Sequence, residues 1–290
     1  MSYRSPIYKT QAEWLSAKNK QVLLFAMSGL GKTYLSSMLR AAGGWFHYSV
    51  DYRIGTRYMG EYIADNFKSE AMKVPFLREL LLQDAVYIAS NITFDNLAPL
   101  STYLGKPGSP QKGGLPFEEY MLRQNQHMRA ETAALLDTTH FIRRARSIYN
   151  IPNFICDSGG SICEVVNPED PKDPILSELS THNLMVWIEG SDAHTDELVR
   201  RFDRAPKPMY YQPQFLERKW VEYRVERGLK EDEVNPDDFV RWTYRQALEH
   251  RQPRYDAMAR NWGITLKAEQ VATVRDEQDF TQLIASALPK

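Results

Sequence analysis

The sequence predicts an α/β fold in which a parallel sheet is covered on both faces by helices, giving three layers. Two observations predict it. Short apolar runs that are typical of buried strands recur along the chain, and segments with helical spacing separate them. This alternation favours parallel pairing, because a crossover helix is the usual way to bring the next strand in parallel. Ligands of such sheets gather at the carboxyl ends of the strands, so residues that follow the strands are the first site candidates.

The strands can be placed individually along the chain. Four apolar runs are predicted as strands, at 22–27 (VLLFAM), 45–50 (WFHYSV), 153–158 (NFICDS) and 183–190 (NLMVWIEG). The first run is followed by Ser, Gly and Gly, and then by a predicted helix over 33–42, whose apolar residues recur at helical spacing. The first core elements are therefore a strand, a loop and a helix.

Two segments interrupt this alternating plan. The first, at about 103–150, starts with a stretch rich in Gly and Pro, which predicts a mobile loop, and continues as one or two helices that would form a cap. The second, at about 214–251, carries alternating charges and a break at Pro236, and is predicted to be helical and mostly solvated. We therefore expect a single domain over 1–290 with two inserted segments.

Composition limits the classes of partner and compartment. The chain of 290 residues has 36 Lys and Arg against 37 Asp and Glu, so its overall charge does not favour nucleic acid, although a local basic patch is compatible with this count. The first residues lack a signal-peptide core, and no window approaches the roughly 18 apolar residues of a membrane span. These features predict a cytoplasmic protein without a membrane partner. Cys156 and Cys163 are too few for a zinc site and are predicted to be buried thiols.

The segment MSGLGKT, residues 27–33, has the features of a phosphate-binding loop, or Walker A motif. Such a loop needs converging backbone N–H groups, a helix N-terminus, a lysine for the outer phosphates and a hydroxyl on Mg²⁺. Ala26 stands where the full pattern begins with Gly, and a small Ala fits there if its φ stays negative. The alternative is a chance Gly-rich helix start, but the strand before and the helix after are the context that the motif requires. The predicted nucleotide-binding residues are Ser28, Gly29, Leu30, Gly31, Lys32, Thr33 and Tyr34, with Lys32 also catalytic.

Further segments follow this loop in an order typical of one kinase family. FHYSVDYRIGTRYMG is similar to that family's second strand and Asp-x-Asp region, and FICDSGGS to its glycine-rich third motif. HNLMVWIEGSDAHTDELVRRFDRAPKPMYY resembles its penultimate strand, helix and arginine-bearing lid, and PRYDAMARNWGITLKAEQ its closing Arg and Tyr and short strand. Over somewhat more than half its length, the chain thus resembles the shikimate-kinase-like group of small P-loop kinases. The resemblance implies a three-layer P-loop kinase fold with a lid, and the use of ATP and Mg²⁺.

The resemblance implies roles for two acids. It places Asp51 at the catalytic, acceptor-binding acid, whose carboxylate would orient and deprotonate a substrate hydroxyl as it attacks the γ-phosphate. The alternative for Asp51 is a helix N-cap. The family's other acid in that region is Ser49 here, which leaves the arrangement around the metal open. Asp157, at the end of an apolar strand, could take the Mg²⁺ role with Thr33, as a Walker-B-like acid.

Three arginines fall in the segment that resembles the lid. A closing lid that carries guanidinium groups stabilises the charge on a transferring phosphoryl group. Arg201 is the predicted catalytic arginine, and Arg200 and Arg204 are predicted to bind the nucleotide. The alternative is that they merely solvate a helix face, as most surface arginines do.

The resemblance also implies an acceptor site. Gly159 and Gly160, which follow Ser158, match part of the glycine-rich motif, where a backbone without side chains lets the acceptor approach. The alternative is an ordinary turn from strand to helix. Arg57 and Arg254 match, less securely, positions where arginines of the family hold an anionic acceptor or the nucleotide.

These residues predict a function and leave alternatives open. The leading prediction is an ATP-dependent phosphotransferase that acts on a hydroxyl of a small, anionic metabolite. A second is a kinase of a nucleoside, an antibiotic, a sugar or a polynucleotide end, because five arginines of the cap would suit a phosphate-rich partner (Arg123, Arg129, Arg143, Arg144 and Arg146). A third is a regulatory P-loop ATPase whose conformation is the output.

Overall fold

The computed structural model describes residues 6–290, and the chain folds into two compact units. The first unit contains the described residues up to Val50, together with Thr132–Ala205 and Arg241–Lys290. The second contains Asp51–Glu131 and Pro206–Val240. The second unit overlaps both predicted insertions, but it begins well before position 103. That the chain forms one domain stays a prediction.

The first unit contains a five-stranded parallel sheet in the order β2-β3-β1-β4-β5. Its strands are β1 (Gln21–Phe25), β2 (Trp45–Ser49), β3 (Asn153–Asp157), β4 (Leu184–Glu189) and β5 (Gly263–Lys267). The four strands predicted from apolar runs are confirmed to within two residues, and β5 is the short strand that the family resemblance implied. The α/β class with a parallel sheet between helices is confirmed.

Helices connect and flank these strands. Along the described chain they are α1 (Gln11–Ser16), α2 (Lys32–Ala41), α3 (Val50–Arg53), α4 (Gly60–Ala71), α5 (Pro75–Leu82), α6 (Ala98–Leu104), α7 (Phe117–Leu136), α8 (Thr138–Ser147), α9 (Ile162–Val165), α10 (Pro174–His182), α11 (Asp192–Arg204), α12 (Pro213–Arg227), α13 (Pro236–Trp262), α14 (Ala268–Val271) and α15 (Glu277–Ala287). A π-helical turn, Ile54–Tyr58, joins α3 to α4. In the first unit, α2 and α8 pack on β2 and β3, whereas α14 and α15 pack on β5.

Strand β1 forms the centre of the sheet. Its residues Val22 to Phe25 have no solvent exposure, which explains why the sequence shows a continuous apolar run and no alternation. The chain leaves β1 for the edge strand β2, returns to β3 beside β1, and then continues to β4 on the other side of β1. The connections therefore diverge at β1. In parallel sheets, the carboxyl end of a strand at such a point is the usual ligand site.

In the second unit, the Gly- and Pro-rich segment before α7 is ordered by specific hydrogen bonds. The Leu115 N–H donates to the Lys106 carbonyl (2.8 Å), and the Ser109 N–H donates to the Val234 carbonyl (2.8 Å). The Lys106 ammonium also pairs with Asp237 at 2.6 Å. The prediction of a mobile loop was wrong, because composition does not show that a distant segment supplies partners for the loop backbone.

The helices that follow this segment also hold distant backbone. The Gln124 side chain, fully buried on α7, donates to the Met209 carbonyl (3.1 Å) and accepts from the Tyr211 N–H (2.9 Å). The Tyr120 hydroxyl donates to the same Met209 carbonyl at 2.9 Å. The sequence predicted one or two cap helices, and the structure has two, α7 and α8.

Among residues 6–290, none of the helices is both long enough and apolar enough to cross a membrane.

Candidate functional site

The loop between β1 and α2 adopts the backbone that its glycines predict. Gly29 has φ of 80° and Gly31 has φ of 95°, in the left-handed region that side chains other than glycine rarely adopt. Gly31 caps the N-terminus of α2, and its carbonyl accepts the Leu35 N–H at 2.9 Å. Ala26 is buried and keeps a negative φ, so the alanine fits where the usual pattern has glycine.

Lys32 lies inside the loop that precedes it. Its side chain is only 6% exposed, and its ammonium donates to the carbonyls of Ala26 (3.0 Å) and Met27 (3.1 Å). These carbonyls belong to the start of the loop, directly after β1. A buried ammonium is costly unless it is hydrogen-bonded, so these contacts fix the positive charge within the loop. The role of Lys32 in binding phosphate stays a prediction.

Thr33 connects the loop to β3. Its hydroxyl donates to Asp157 Oδ2 at 2.7 Å, and Asp157 Oδ1 accepts the Gly159 N–H at 3.2 Å. A hydroxyl in the first turn of α2 and a carboxylate at the end of β3 thus lie side by side, and both are oxygen ligands of the kind that Mg²⁺ prefers. Mg²⁺ is usually bound by one or two protein ligands and completes its shell with water and phosphate oxygens. Thr33 and Asp157 therefore fit the metal role that the sequence predicted for them, which stays a prediction.

A buried histidine lies on β2 beside this pair. Burial lowers the pKa of His47 to about 4, against the opposing charge of Asp157 and with a smaller contribution from Arg40. In the β2–β3 register, Ser49 pairs with Asp157, two positions after His47. His47 is therefore neutral near pH 7, and it does not neutralise the Asp157 carboxylate with a buried positive charge.

The glycine-rich turn after β3 lies against the loop. Gly159 has φ of 73°, which favours glycine at this position. A Cβ on Gly160 would lie 3.6 Å from the Ala26 carbonyl oxygen and 3.8 Å from the Ser28 nitrogen. The structure thus brings the turn and the loop together. The role of Gly159 and Gly160 in acceptor binding stays a prediction.

The three arginines of α11 have different surroundings. A Cβ built on Gly29 would lie 2.9 Å from Arg201 Nη2, so the Arg201 guanidinium covers the loop at this glycine. Arg200 instead pairs with Glu197 at 2.8 Å, and Arg204 is exposed in the last turn of the helix. Arg201 is more than half exposed, with Glu197 no closer than 4.0 Å, which leaves its guanidinium able to move.

Apolar contacts close the other sides of the loop. Leu30 is buried, and its methyl groups would lie 3.0 and 3.1 Å from a Cβ on Gly190, at the end of β4. Val271 on α14 would lie 3.1 Å from a Cβ on Gly31. Glycine at 31 and 190 therefore permits close packing around the loop, whereas Tyr34, on the first turn of α2, is 57% exposed. Ser28 is exposed at the tip of the loop.

Arg254 lies on α13 and contacts backbone. Its Nε donates to the Cys163 carbonyl (2.7 Å) and its Nη2 donates to the Val166 carbonyl (2.6 Å). These bonds hold the guanidinium against the segment that follows β3. Binding of a substrate by Arg254 stays a prediction, and it would require that at least one of these bonds be given up.

Sequence reasoning did not identify the neighbours of Arg254 on α13. Arg251 donates to the buried Glu164 carboxylate (2.6 Å) and to the Gly160 carbonyl (3.1 Å), and the Tyr255 hydroxyl donates to the same carbonyl (2.5 Å). Arg251 and Tyr255 are spaced i, i+4 and therefore lie on one face of α13, but the helical segment predicted from the sequence ended at about position 251. The partner, Glu164, is 87 positions away, and a single sequence gives no signal that relates the two.

Asp51 and Arg57 belong to the second unit. Asp51 lies in the first turn of α3, two residues after Ser49, and is half-buried. Its position inside the helix differs from the N-cap that was the alternative. Arg57 is exposed on the π-helical turn. The roles predicted for Asp51 and Arg57 in binding an acceptor stay predictions.

Arg123 and Arg144, among the five cap arginines, contact other groups of the protein. Arg123 donates to Glu119 (2.8 Å), to the Tyr103 carbonyl (2.5 Å) and to Asn66 (3.1 Å). Arg144 lies 5.1 Å from the centre of the Phe141 ring. The argument for a phosphate-rich partner therefore loses support from Arg123, whose three donor groups are engaged within the protein.

Comparisons with known proteins add little to this geometry. No protein-family model matches the sequence, and no curated protein matches it. Among solved structures, the chain is similar to the crystal structure of shikimate kinase from Bacteroides thetaiotaomicron. The two are 15% identical, the alignment covers 92% of this chain and 96% of the other, and the TM-score is 0.35. A likeness this distant carries no argument about activity, so the conclusions below depend on the residues themselves.

Proposed function

We propose that the protein is an ATP-dependent phosphotransferase that moves the γ-phosphate to a hydroxyl of a small, anionic metabolite. One observation carries the proposal: the β1–α2 loop, with left-handed Gly29 and Gly31, encloses the Lys32 ammonium, and Thr33 bonds Asp157 at the end of β3. Backbone N–H groups at a helix N-terminus, a lysine and an oxygen pair for a cation are the parts that a nucleotide triphosphate requires.

Each of these parts has a task in the proposed reaction. The loop and Lys32 bind the β- and γ-phosphates, and Thr33 and Asp157 would hold Mg²⁺. When bound, Mg²⁺ would supply positive charge that offsets the negative charge of the phosphates during transfer. Arg201, which already covers Gly29, moves the short distance to the transferring phosphoryl group and stabilises its charge. Arg200 and Arg204, on the same helix, contribute positive charge to the nucleotide.

The acceptor side of the reaction needs a base and a positive charge. We assign the base to Asp51, which lies two residues after the end of β2, and the positive charge to Arg57 and Arg254. The Gly159–Gly160 backbone, which carries no side chains, leaves room for a hydroxyl to reach the γ-phosphate in line. Arg254 would take this role only by giving up a hydrogen bond to the Cys163 or Val166 carbonyl.

The test is transfer of label from γ-labelled ATP to a component of a metabolite extract, followed by identification of the product. We expect one labelled, phosphorylated compound with the unmodified protein and none with Lys32→Ala. Lys73→Ala is the matched control, because Lys73 is an exposed lysine of the second unit that pairs with Glu70 on the surface. Absence of ATP binding would overturn the nucleotide site. ATP binding with release of inorganic phosphate alone would favour the regulatory ATPase.

A further inference from the structure

Helix α13 binds the segment that follows β3 at several points. Tyr255 and Arg251 donate to the Gly160 carbonyl at 2.5 and 3.1 Å. Arg254 donates to the carbonyls of Cys163 and Val166. One helix face thus satisfies three backbone carbonyls between positions 160 and 166. Such carbonyls would otherwise be left unpaired in a largely buried place, at a cost in stability.

A buried ion pair fixes the position of Arg251. The Glu164 side chain has no exposure and the Arg251 side chain is 8% exposed, with 2.6 Å between Nε and the carboxylate. Burial alone would raise the pKa of Glu164, but the charge of Arg251 and hydrogen bonds from His250 and Arg251 outweigh it and lower the pKa. The carboxylate is therefore ionised at neutral pH. A planar guanidinium can hold Glu164 with one edge and Gly160 with another, which a lysine cannot do in the same geometry.

The carbonyl at the centre of this arrangement belongs to the candidate site. Gly160 packs against the backbone of Ala26 and Ser28 in the loop. Its neighbour Gly159 donates its N–H to Asp157, which accepts the Thr33 hydroxyl. A displacement of Gly160 would therefore change the orientation of the Asp157 carboxylate. The hydrogen bonds described above for Arg251 and Tyr255 do not involve Asp157 or Thr33.

We infer that Arg251 and Tyr255 are positioning residues, which hold the Gly159–Gly160 turn beside the phosphate-binding loop and thereby orient Asp157 for the cation. The consequence for the cation rests on the proposed function, whereas the restraint on the turn does not. Residues that orient a metal ligand through a hydrogen bond commonly change metal affinity when they are removed, although they do not touch the metal.

The restraint is tested by hydrogen exchange of peptides that cover 157–163. Tyr255→Phe removes the hydroxyl and keeps the ring between Phe25 and Trp187, whose ring centres lie 6.2 and 6.4 Å away. Arg251→Lys keeps a positive charge for Glu164 and loses the bond to Gly160. We expect about fivefold faster exchange in each variant, as for the loss of one hydrogen bond. Arg260→Gln is the control on the same helix, since Arg260 is an exposed residue paired with Asp256 and Glu169.

The consequence for the cation is tested by the Mg²⁺ concentration that gives half-maximal ATP turnover. We expect a rise on the order of 10-fold in Tyr255→Phe and Arg251→Lys, with unchanged affinity for metal-free ATP and no change in Arg260→Gln. A purely structural role would lower thermal stability and leave this concentration unchanged, which would overturn the inference. Unchanged exchange at 157–163 would also overturn it. If the unmodified protein binds no ATP, the proposed function fails, and hydrogen exchange alone decides whether the turn is held.

Discussion

The Thr33 hydroxyl donates to Asp157 Oδ2 over 2.7 Å, and this bond joins the first turn of α2 to the end of β3. The two residues are 124 positions apart, on elements that meet only because β1 and β3 are neighbours in the sheet. When threonine donates its proton to the carboxylate, its oxygen lone pairs remain available to a cation. The bond therefore orients both predicted metal ligands before any cation binds.

Thr33→Val should remove the hydroxyl that bonds Asp157 and is available to a cation, while it keeps the shape of the side chain. We expect ATP turnover in this variant to lose the dependence on Mg²⁺ that the unmodified protein shows. The free energy of unfolding should fall by about 1 kcal/mol, the usual contribution of one hydrogen bond. Thr33→Ser, which keeps the hydroxyl, is the matched variant and should retain the dependence. Equal magnesium titrations for valine and serine would remove Thr33 from the metal site.

Gly29 and Gly43 allow the strain of a left-handed backbone to be separated from a role in binding. Their φ values are 80° and 86°, but a Cβ at 29 would lie 2.9 Å from Arg201, whereas a Cβ at 43 would meet nothing within 4 Å. Each alanine variant should lose roughly 1 kcal/mol of stability, because alanine is strained at positive φ. Only Gly29→Ala should also lose the thermal stabilisation that Mg-ATP gives. Similar ATP responses in both variants would contradict a phosphate-binding role for the loop.

The strands and the loop could be predicted from the sequence, for a physical reason. A parallel strand that is buried on both faces must be apolar throughout, so β1 appears as a continuous run, and Gly29 and Gly31 are needed locally by the backbone. Local rules therefore suffice for these elements. The predictions of the strands and of the α/β class were confirmed for this reason.

Other parts depend on pairs of residues that are far apart in sequence. The order of the segment at 105–116 depends on Val234 and Asp237, which accept from Ser109 and Lys106. The restraint on Gly160 depends on Arg251, which no local pattern relates to position 160. A single sequence contains no record of such pairs. Composition therefore predicted a mobile loop for the first segment and gave no prediction for the second.

Asp51 and Asp157 should differ in the ligand that they affect. A base acts on the attacking hydroxyl, whereas a metal ligand acts through the cation. Asp51→Asn should leave Mg-ATP binding unchanged and lower transfer to the acceptor by roughly 100-fold or more, a typical contribution of a general base. Asp157→Asn should instead weaken ATP binding only when Mg²⁺ is present. Calorimetric titrations with and without Mg²⁺ measure both, and a metal-dependent loss in Asp51→Asn would reverse the two assignments.

The ion pair between Glu164 and Arg251 should make stability depend on pH on the acid side. Burial raises the pKa of Glu164, but Arg251 and His250 together hold it below its usual value of 4.5. A carboxyl with a lowered pKa stabilises the fold above its unfolded pKa, and this contribution is lost as the pH falls through the folded pKa. Glu164→Gln, which leaves the Arg251 charge buried without a carboxylate, should cost about 3 kcal/mol at pH 7.

Denaturant unfolding from pH 7 to pH 3 measures this dependence. The difference in unfolding free energy between the unmodified protein and Glu164→Gln should be constant above about pH 5 and should shrink below pH 4.5, because protonated Glu164 resembles glutamine in charge. Glu169→Gln is the matched control. Glu169 pairs with Arg260 at 2.9 Å on the surface, where it is 60% exposed, and such pairs contribute at most about 1 kcal/mol. A difference for Glu164→Gln that stays constant down to pH 3 would show that folding does not lower the pKa of Glu164, and the ion pair would then contribute no pH dependence.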